Sequence, residues 1–132
     1  MKVITPGTHG STYGGNPLSC SVAMEAVKVL LEEKLPENAA KLEKVMIEEI
    51  CKIPGNIVAE IRCRGLMCAF DVHQNIPATE MCYRFRDAGL ITKAIQGRTI
   101  RMAPPLVITE EQLRDGISII RKVFESFICN KN

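Results

Sequence analysis

The stretch PGTHGSTYGGNP, from Pro6 to Pro17, gathers four of the chain's nine glycines together with Ser11 and Thr12. Small residues let a backbone approach a ligand closely, and turned backbone can aim several N–H groups at one anion. Two hydroxyls add donors. Asn16-Pro17 then opens a helix whose positive end lies beside the loop. Such a set of donors suits a phosphate. The spacing matches neither the P-loop, which needs GK[ST], nor the dinucleotide fingerprint, which needs a preceding strand. A glycine-rich linker ahead of a helix is the alternative on these residues alone.

Arg101 is the second candidate. In TIRMAPPLVI its neighbours Ile100 and Met102 share one face of a strand, which turns Arg101 to the other. The rigid Ala103-Pro104-Pro105 exit fixes where that strand stops. A guanidinium on a short strand suits two-bond capture of a carboxylate, and an ordinary surface arginine is the competing reading. His9 and His73 lack a nucleophile or ligand partner nearby and read as polar histidines. The carboxylates form no convincing acid–base pair, so the sequence offers binding groups and no proton-transfer group.

Six cysteines fall at Cys20, Cys51, Cys63, Cys68, Cys82 and Cys129 with no CxxC. Cys63 and Cys68 lack the second ligand pair that a zinc site requires. All six are expected to be reduced, partly buried, small apolar fillers, which points to a reducing compartment.

The elements that must position these groups follow from periodicity. Apolar residues recur at helical spacing from Pro17 to about Glu33, and a second helix opens at Pro36 with the stripe Ala39, Leu42, Met46, Ile50 and a charged outer face. After the IPGN turn the period falls to two over Ala59, Ile61 and Cys63, and a continuous apolar strand runs from Leu66 to Val72. A helix from about Pro77 ends at Gly89-Leu90. Short strands Ile91 to Ile95 and Thr99 to Met102 flank a turn. The last helix begins with a capping box, Thr109 with Gln112, and a staple of Ile108 and Leu113. This order predicts an α+β fold: a small, mostly antiparallel sheet with helices packed on one face.

The totals bound the function. With 132 residues the chain has the size of one ordinary domain, and its net charge of +2 gives no case for a nucleic-acid partner. No apolar run reaches the roughly 18 residues of a membrane span.

The string PGTHGSTYGGNPLSCSVA resembles the loop and helix of the class III pyridoxal-phosphate-dependent aminotransferases. RCRGLMCAFDV, RFRDAGLITKAIQGRTIRMAPPLVIT and the final helix resemble later parts of that family in the same order. GSTYGGNP is specific to the family; RMAPPLVI leans towards its ornithine branch, with acetylornithine and other ω-amino-acid branches sharing enough to stay in play. The resemblance implies that Ser11 and Thr12, with the backbone of Gly10, reach across a homodimer interface to the phosphate of the partner's pyridoxal phosphate. It implies that Arg101 holds the substrate α-carboxylate. It further implies that residues 1–17 close a large domain, with a connecting helix and C-terminal small domain over 18–132. The cofactor-holding lysine, the acidic partner of the pyridine nitrogen and the stacking aromatic residue would then precede Met1. Lys2 does not replace that lysine. No catalytic residue and no metal ligand are therefore expected here, and the isolated chain is expected to be inactive. The compartment implied is the cytoplasm or, alternatively, the mitochondrial matrix. A non-enzymatic α+β binding module is the reading from a different class.

Overall fold

The structure, a computed structural model, describes residues 5–129; Lys2 lies outside them. The described residues fall into two compact units that divide between Lys34 and Leu35. The first holds the glycine-rich loop and helix α1, Pro17–Glu32. Asn16 caps α1 as expected: its Oδ1 accepts the Ser19 N–H at 2.9 Å. Lys34, with φ 51, takes the left-handed conformation that stops the helix, a place glycine more often fills.

The second unit begins with α2, Leu35–Cys51. Pro36 sits inside the first turn, where its missing N–H costs nothing. The expected stripe is real: Leu42, Met46 and Ile50 are buried, and Ala39 packs beside them. The outer face is less uniformly wet than its charge suggests, since Glu49 is only 8% exposed. Lys52 Nζ donates to Glu49 Oε1 at 2.6 Å, and Arg114 donates to the same oxygen from the last helix. The Lys52 hydrogen bond and the Arg114 charge hold the Glu49 carboxyl below its usual range against the opposing effect of burial.

The sheet follows as β1, Val58–Arg64, and β2, Met67–Val72, then β3, Lys93–Ile95, and β4, Thr99–Met102. All neighbours are antiparallel, in the order β1-β2-β4-β3. The β1–β2 turn needs a glycine. Gly65 has φ 58, its N–H donates to Glu43 Oε2 at 2.6 Å, and a Cβ there would meet the Ala39 Cβ at 3.4 Å. Helix α3, Ala78–Asp87, ends as read from the sequence: Gly89 N–H bonds Arg86 O at 2.9 Å and Leu90 N–H bonds Phe85 O at 2.8 Å. Helix α4, Glu110–Cys129, starts on the reciprocal capping box, with Gln112 N–H on Thr109 Oγ1 at 3.2 Å and Thr109 N–H on Gln112 Oε1 at 3.1 Å.

Register sorts the sheet into two faces. Ile61, Phe70, Ile100 and Ala94 form one transverse row, turned to the core. Phe124 of α4 meets Phe70 and Phe85 edge-on, with ring centroids 6.4 and 5.3 Å away. The α+β expectation therefore holds, with a fully antiparallel sheet.

The cysteine reading does not hold. Cys63 and Cys68 are register partners on the core face, with Cα atoms 4.2 Å apart, and they form a disulfide. Their spacing had been weighed as a metal-ligand pair, whereas the hairpin turns residues five apart into direct cross-strand neighbours. Cys20, Cys51 and Cys129 are free and exposed rather than partly buried, and Cys82 is half-buried.

Candidate functional site

The loop owes its shape to bonds between near neighbours. Thr8 Oγ1 accepts the Thr5 N–H at 3.0 Å and donates to Thr5 O at 2.7 Å. Ser11 Oγ accepts the Gly14 N–H at 2.9 Å. A Cβ on Gly14 would lie 3.0 Å from both Ser11 Cβ and Ser11 Oγ, so only glycine lets that hydroxyl close the turn without displacement. Since Ser11 Oγ accepts this bond, its own proton remains free to donate outward. Thr12 is exposed, and its hydroxyl has no hydrogen-bond partner among the described residues. At Gly10 nothing lies within 4 Å of where a Cβ would stand, leaving its backbone open to approach.

The helix end contributes less than its position suggests. Asn16 already takes the Ser19 N–H, Pro17 has none, and the Cys20 N–H goes to Asn16 O at 3.0 Å. The Leu18 N–H is the first-turn donor left over. The anion-binding capacity of this unit therefore rests on the Ser11 and Thr12 hydroxyls and the open Gly10 backbone. Neutral donors of this kind, set in glycine backbone, fit a phosphate group.

Arg101 belongs to the second unit, on the sheet face opposite the core. Its row across the sheet runs Arg62, Ala69, Arg101, Lys93. On strand β4, Ile100 and Met102 are buried and Arg101 between them is exposed as expected, while Thr99, on the same face as Arg101, is buried as well. The backbone leaves the sheet after Met102, at Ala103-Pro104-Pro105.

The cations of this face differ in whether the chain neutralises them. Asp71, 5% exposed, accepts Arg62 Nη2 at 2.6 Å and Thr99 Oγ1 at 2.7 Å, and it faces Arg98 Nη2 at 3.4 Å. The Arg62 hydrogen bond, then that of Thr99, holds the Asp71 carboxyl below its usual range despite burial. Arg101 has no hydrogen bond or ion pair among the described residues, and neither has Lys93 directly across from it. Like charges facing each other across strands repel. A carboxylate at Arg101 relieves that repulsion, and small Ala69 on the other side leaves the guanidinium unobstructed.

Gly14, Asp71 and Lys93 escaped sequence reasoning. Their contributions depend on the loop turn and the strand register, neither of which is written in local periodicity. His73 behaves as read, with Nε2 at 3.1 Å from Gly55 O. Among the described residues no group of three His, Cys, Asp or Glu side chains could hold a metal ion, and no helix is long and apolar enough to cross a membrane.

Comparison with known proteins agrees with this arrangement of elements. The profile described as aminotransferase class-III matches residues 1–124. The mitochondrial ornithine aminotransferase of Drosophila melanogaster is 49% identical over 126 residues, which cover 96% of this chain and 29% of that protein. Among solved structures, the acetylornithine aminotransferase of Elizabethkingia anophelis is 43% identical with a TM-score of 0.81, over 95% of this chain and 32% of that one. The ornithine δ-aminotransferase of Plasmodium falciparum is 41% identical with a TM-score of 0.79, over 96% and 33%. The chain thus spans about a third of the length of the relatives it matches. On the matched profile and these identities, the chain belongs to the class-III aminotransferase family.

Proposed function

We propose that this chain is the C-terminal portion of a pyridoxal-phosphate-dependent aminotransferase, one that moves the δ-amino group of ornithine to 2-oxoglutarate. Residues 1–17 close the large domain, and 18–132 form the connecting helix and small domain. Pyridoxal phosphate, when bound, supplies the electron sink for the chemistry at the amine carbon, and the protein supplies binding and orientation.

This chain's share is two anchors. Ser11 and Thr12 donate hydroxyl hydrogens to the cofactor phosphate, with the Gly10 backbone beside them, acting across a homodimer interface. Arg101 takes the substrate α-carboxylate in a two-bond fork. No side chain of the segment moves a proton, so the catalytic groups lie in the rest of the enzyme and the isolated segment is inactive. The partners are small amino and 2-oxo acids, with neither nucleic acid nor membrane. The compartment is the cytoplasm or the mitochondrial matrix; the latter is carried in the name of the Drosophila relative. Acetylornithine as amine donor is the second reading, favoured by the comparable likeness to the Elizabethkingia enzyme.

One observation carries the substrate assignment: Arg101 stands unpaired on a fixed strand, while Arg62 pairs with Asp71 and Glu60, and Arg98 with Asp71. In the complete enzyme, Arg101→Lys keeps the charge and loses the planar fork. We expect kcat/KM for α-carboxylate substrates to fall by roughly 2–4 kcal/mol in transition-state binding. An amine with the same reacting end and no α-carboxylate should lose little further activity. If both substrates suffer equally, Arg101 supports the fold and anchors nothing.

A further inference from the structure

We infer that Lys93 is a specificity residue of the Arg101 site: its ammonium disfavours amine donors with a positive charge on the α-carbon, and so favours N-acylated donors over free α-amino acids. The inference rests on the proposed function, in which Arg101 holds the α-carboxylate.

Register brings the two side chains together. Lys93 of β3 and Arg101 of β4 are direct partners in an antiparallel pair, so both project from the same face, with Cα atoms roughly 5 Å apart. Both are exposed, and neither has a hydrogen bond or ion pair among the described residues. The acids of this face are already engaged. Asp71 lies one row away, opposite Thr99, where it accepts Arg62 and Thr99 and faces Arg98. Glu60, opposite Asp71, pairs with Arg62. Of the two residues directly across from Arg101, Ala69 is uncharged and Lys93 is a cation. A carboxylate held by Arg101 therefore has a second positive charge at its side.

That charge meets whatever the carboxylate is attached to. The α-carbon is bonded to the carboxylate, so its substituent falls within reach of the long, flexible lysine stem on the adjacent strand. In ornithine the substituent is an ammonium, which Lys93 repels. In N-acetylornithine it is an uncharged amide, whose carbonyl oxygen can accept a hydrogen bond from the lysine. Both donors carry the same reacting δ-amine, so its contribution cancels in their ratio. Two like charges a few ångströms apart near a protein surface change binding by about tenfold, and salt screens the effect.

The test compares ornithine with N-acetylornithine as donors to the complete enzyme, unaltered and as Lys93→Gln and Lys93→Arg. Removing the charge should raise kcat/KM for ornithine relative to N-acetylornithine by about tenfold, and Lys93→Arg should keep the original ratio. In the unaltered enzyme the same ratio should rise with ionic strength, and this rise should shrink in Lys93→Gln. On apoenzyme, the dissociation constants of norvaline and N-acetylnorvaline, which lack the reacting amine, should follow the same pattern. A ratio in Lys93→Gln within about twofold of the original, or an equal salt response with and without the lysine, would overturn the inference. If the variants misfold, the unaltered enzyme decides: a ratio that stays flat or falls with ionic strength removes the repulsion. Activity at an unchanged ratio would sink the role of Lys93 and leave the proposed function standing, whereas turnover of neither donor would overturn both.

Discussion

Helices α1 and α4 are of similar length, 16 and 20 residues, and both carry apolar residues at helical spacing. Yet α1 buries none of its residues, whereas α4 buries Leu113, Ile117, Ile120, Phe124 and Phe127. The difference extends to the groups assigned to binding. Ser11 and its neighbours are shaped by bonds three residues apart, such as Gly14 to Ser11 and Ser19 to Asn16. Arg101 is fixed by strands on both sides and by the core beneath Ile100 and Met102. The groups proposed to bind phosphate are thus held by local bonds, and the proposed carboxylate anchor by tertiary ones.

The largest expected effect tests that contrast directly. Phe124 meets both Phe70 and Phe85, so Phe124→Ala should cost about 3–5 kcal/mol of stability. Val27 of α1 is 55% exposed, and Val27→Ala should stay within about 0.5 kcal/mol. Denaturant midpoints of the two variants measure both. Equal losses would erase the distinction between the two helices.

A smaller effect sharpens it through pH. Loop bonds run between neutral hydroxyls, amides and backbone, while the sheet unit relies on the buried carboxylates of Asp71 and Glu49. Both carboxyls titrate lower in the folded chain than in the unfolded one. Their stabilisation is therefore fully present above the ordinary carboxylate range and is lost as pH falls through the lowered folded values. Asp71→Asn should cost roughly 1–3 kcal/mol at neutral pH and flatten part of that acid loss, leaving the share of Glu49. Urea midpoints between neutral and acid pH would show it. An unchanged slope would mean that Asp71 contributes no net ion pairing.

The same contrast explains what could be read in advance. Capping boxes, strand alternation and the α2 stripe are local signals, and Thr109 with Gln112, Ile100 with Met102, and Leu42 with Met46 stand as expected. The outward direction of Arg101 followed from its two neighbours. What surrounds it did not, because Lys93 and Ala69 reach it through register, which makes neighbours of Ala69 and Arg101, 32 apart in sequence, and sets Asp71 beside Thr99 on the same face. The disulfide escaped for the same reason. Cys63 and Cys68 are an unremarkable pair in the chain and direct neighbours only once the Gly65 turn has set the hairpin. In the loop, glycine content suggested a cradle, but the particular need for glycine at Gly14 arises from a hydroxyl three residues earlier.

The central claim is a division of labour between the two anchors, and a cofactor titration tests it most directly. Apoenzyme of the complete protein, carrying either Thr12→Ala or Arg101→Lys, is titrated with pyridoxal phosphate beside the unaltered enzyme. Losing a hydrogen bond to a charged phosphate costs roughly 1.5–3 kcal/mol, about a ten- to hundredfold rise in dissociation constant. Thr12→Ala should show that rise and Arg101→Lys should leave the constant unchanged. An unaltered constant for Thr12→Ala, or an equal rise for Arg101→Lys, would contradict the account.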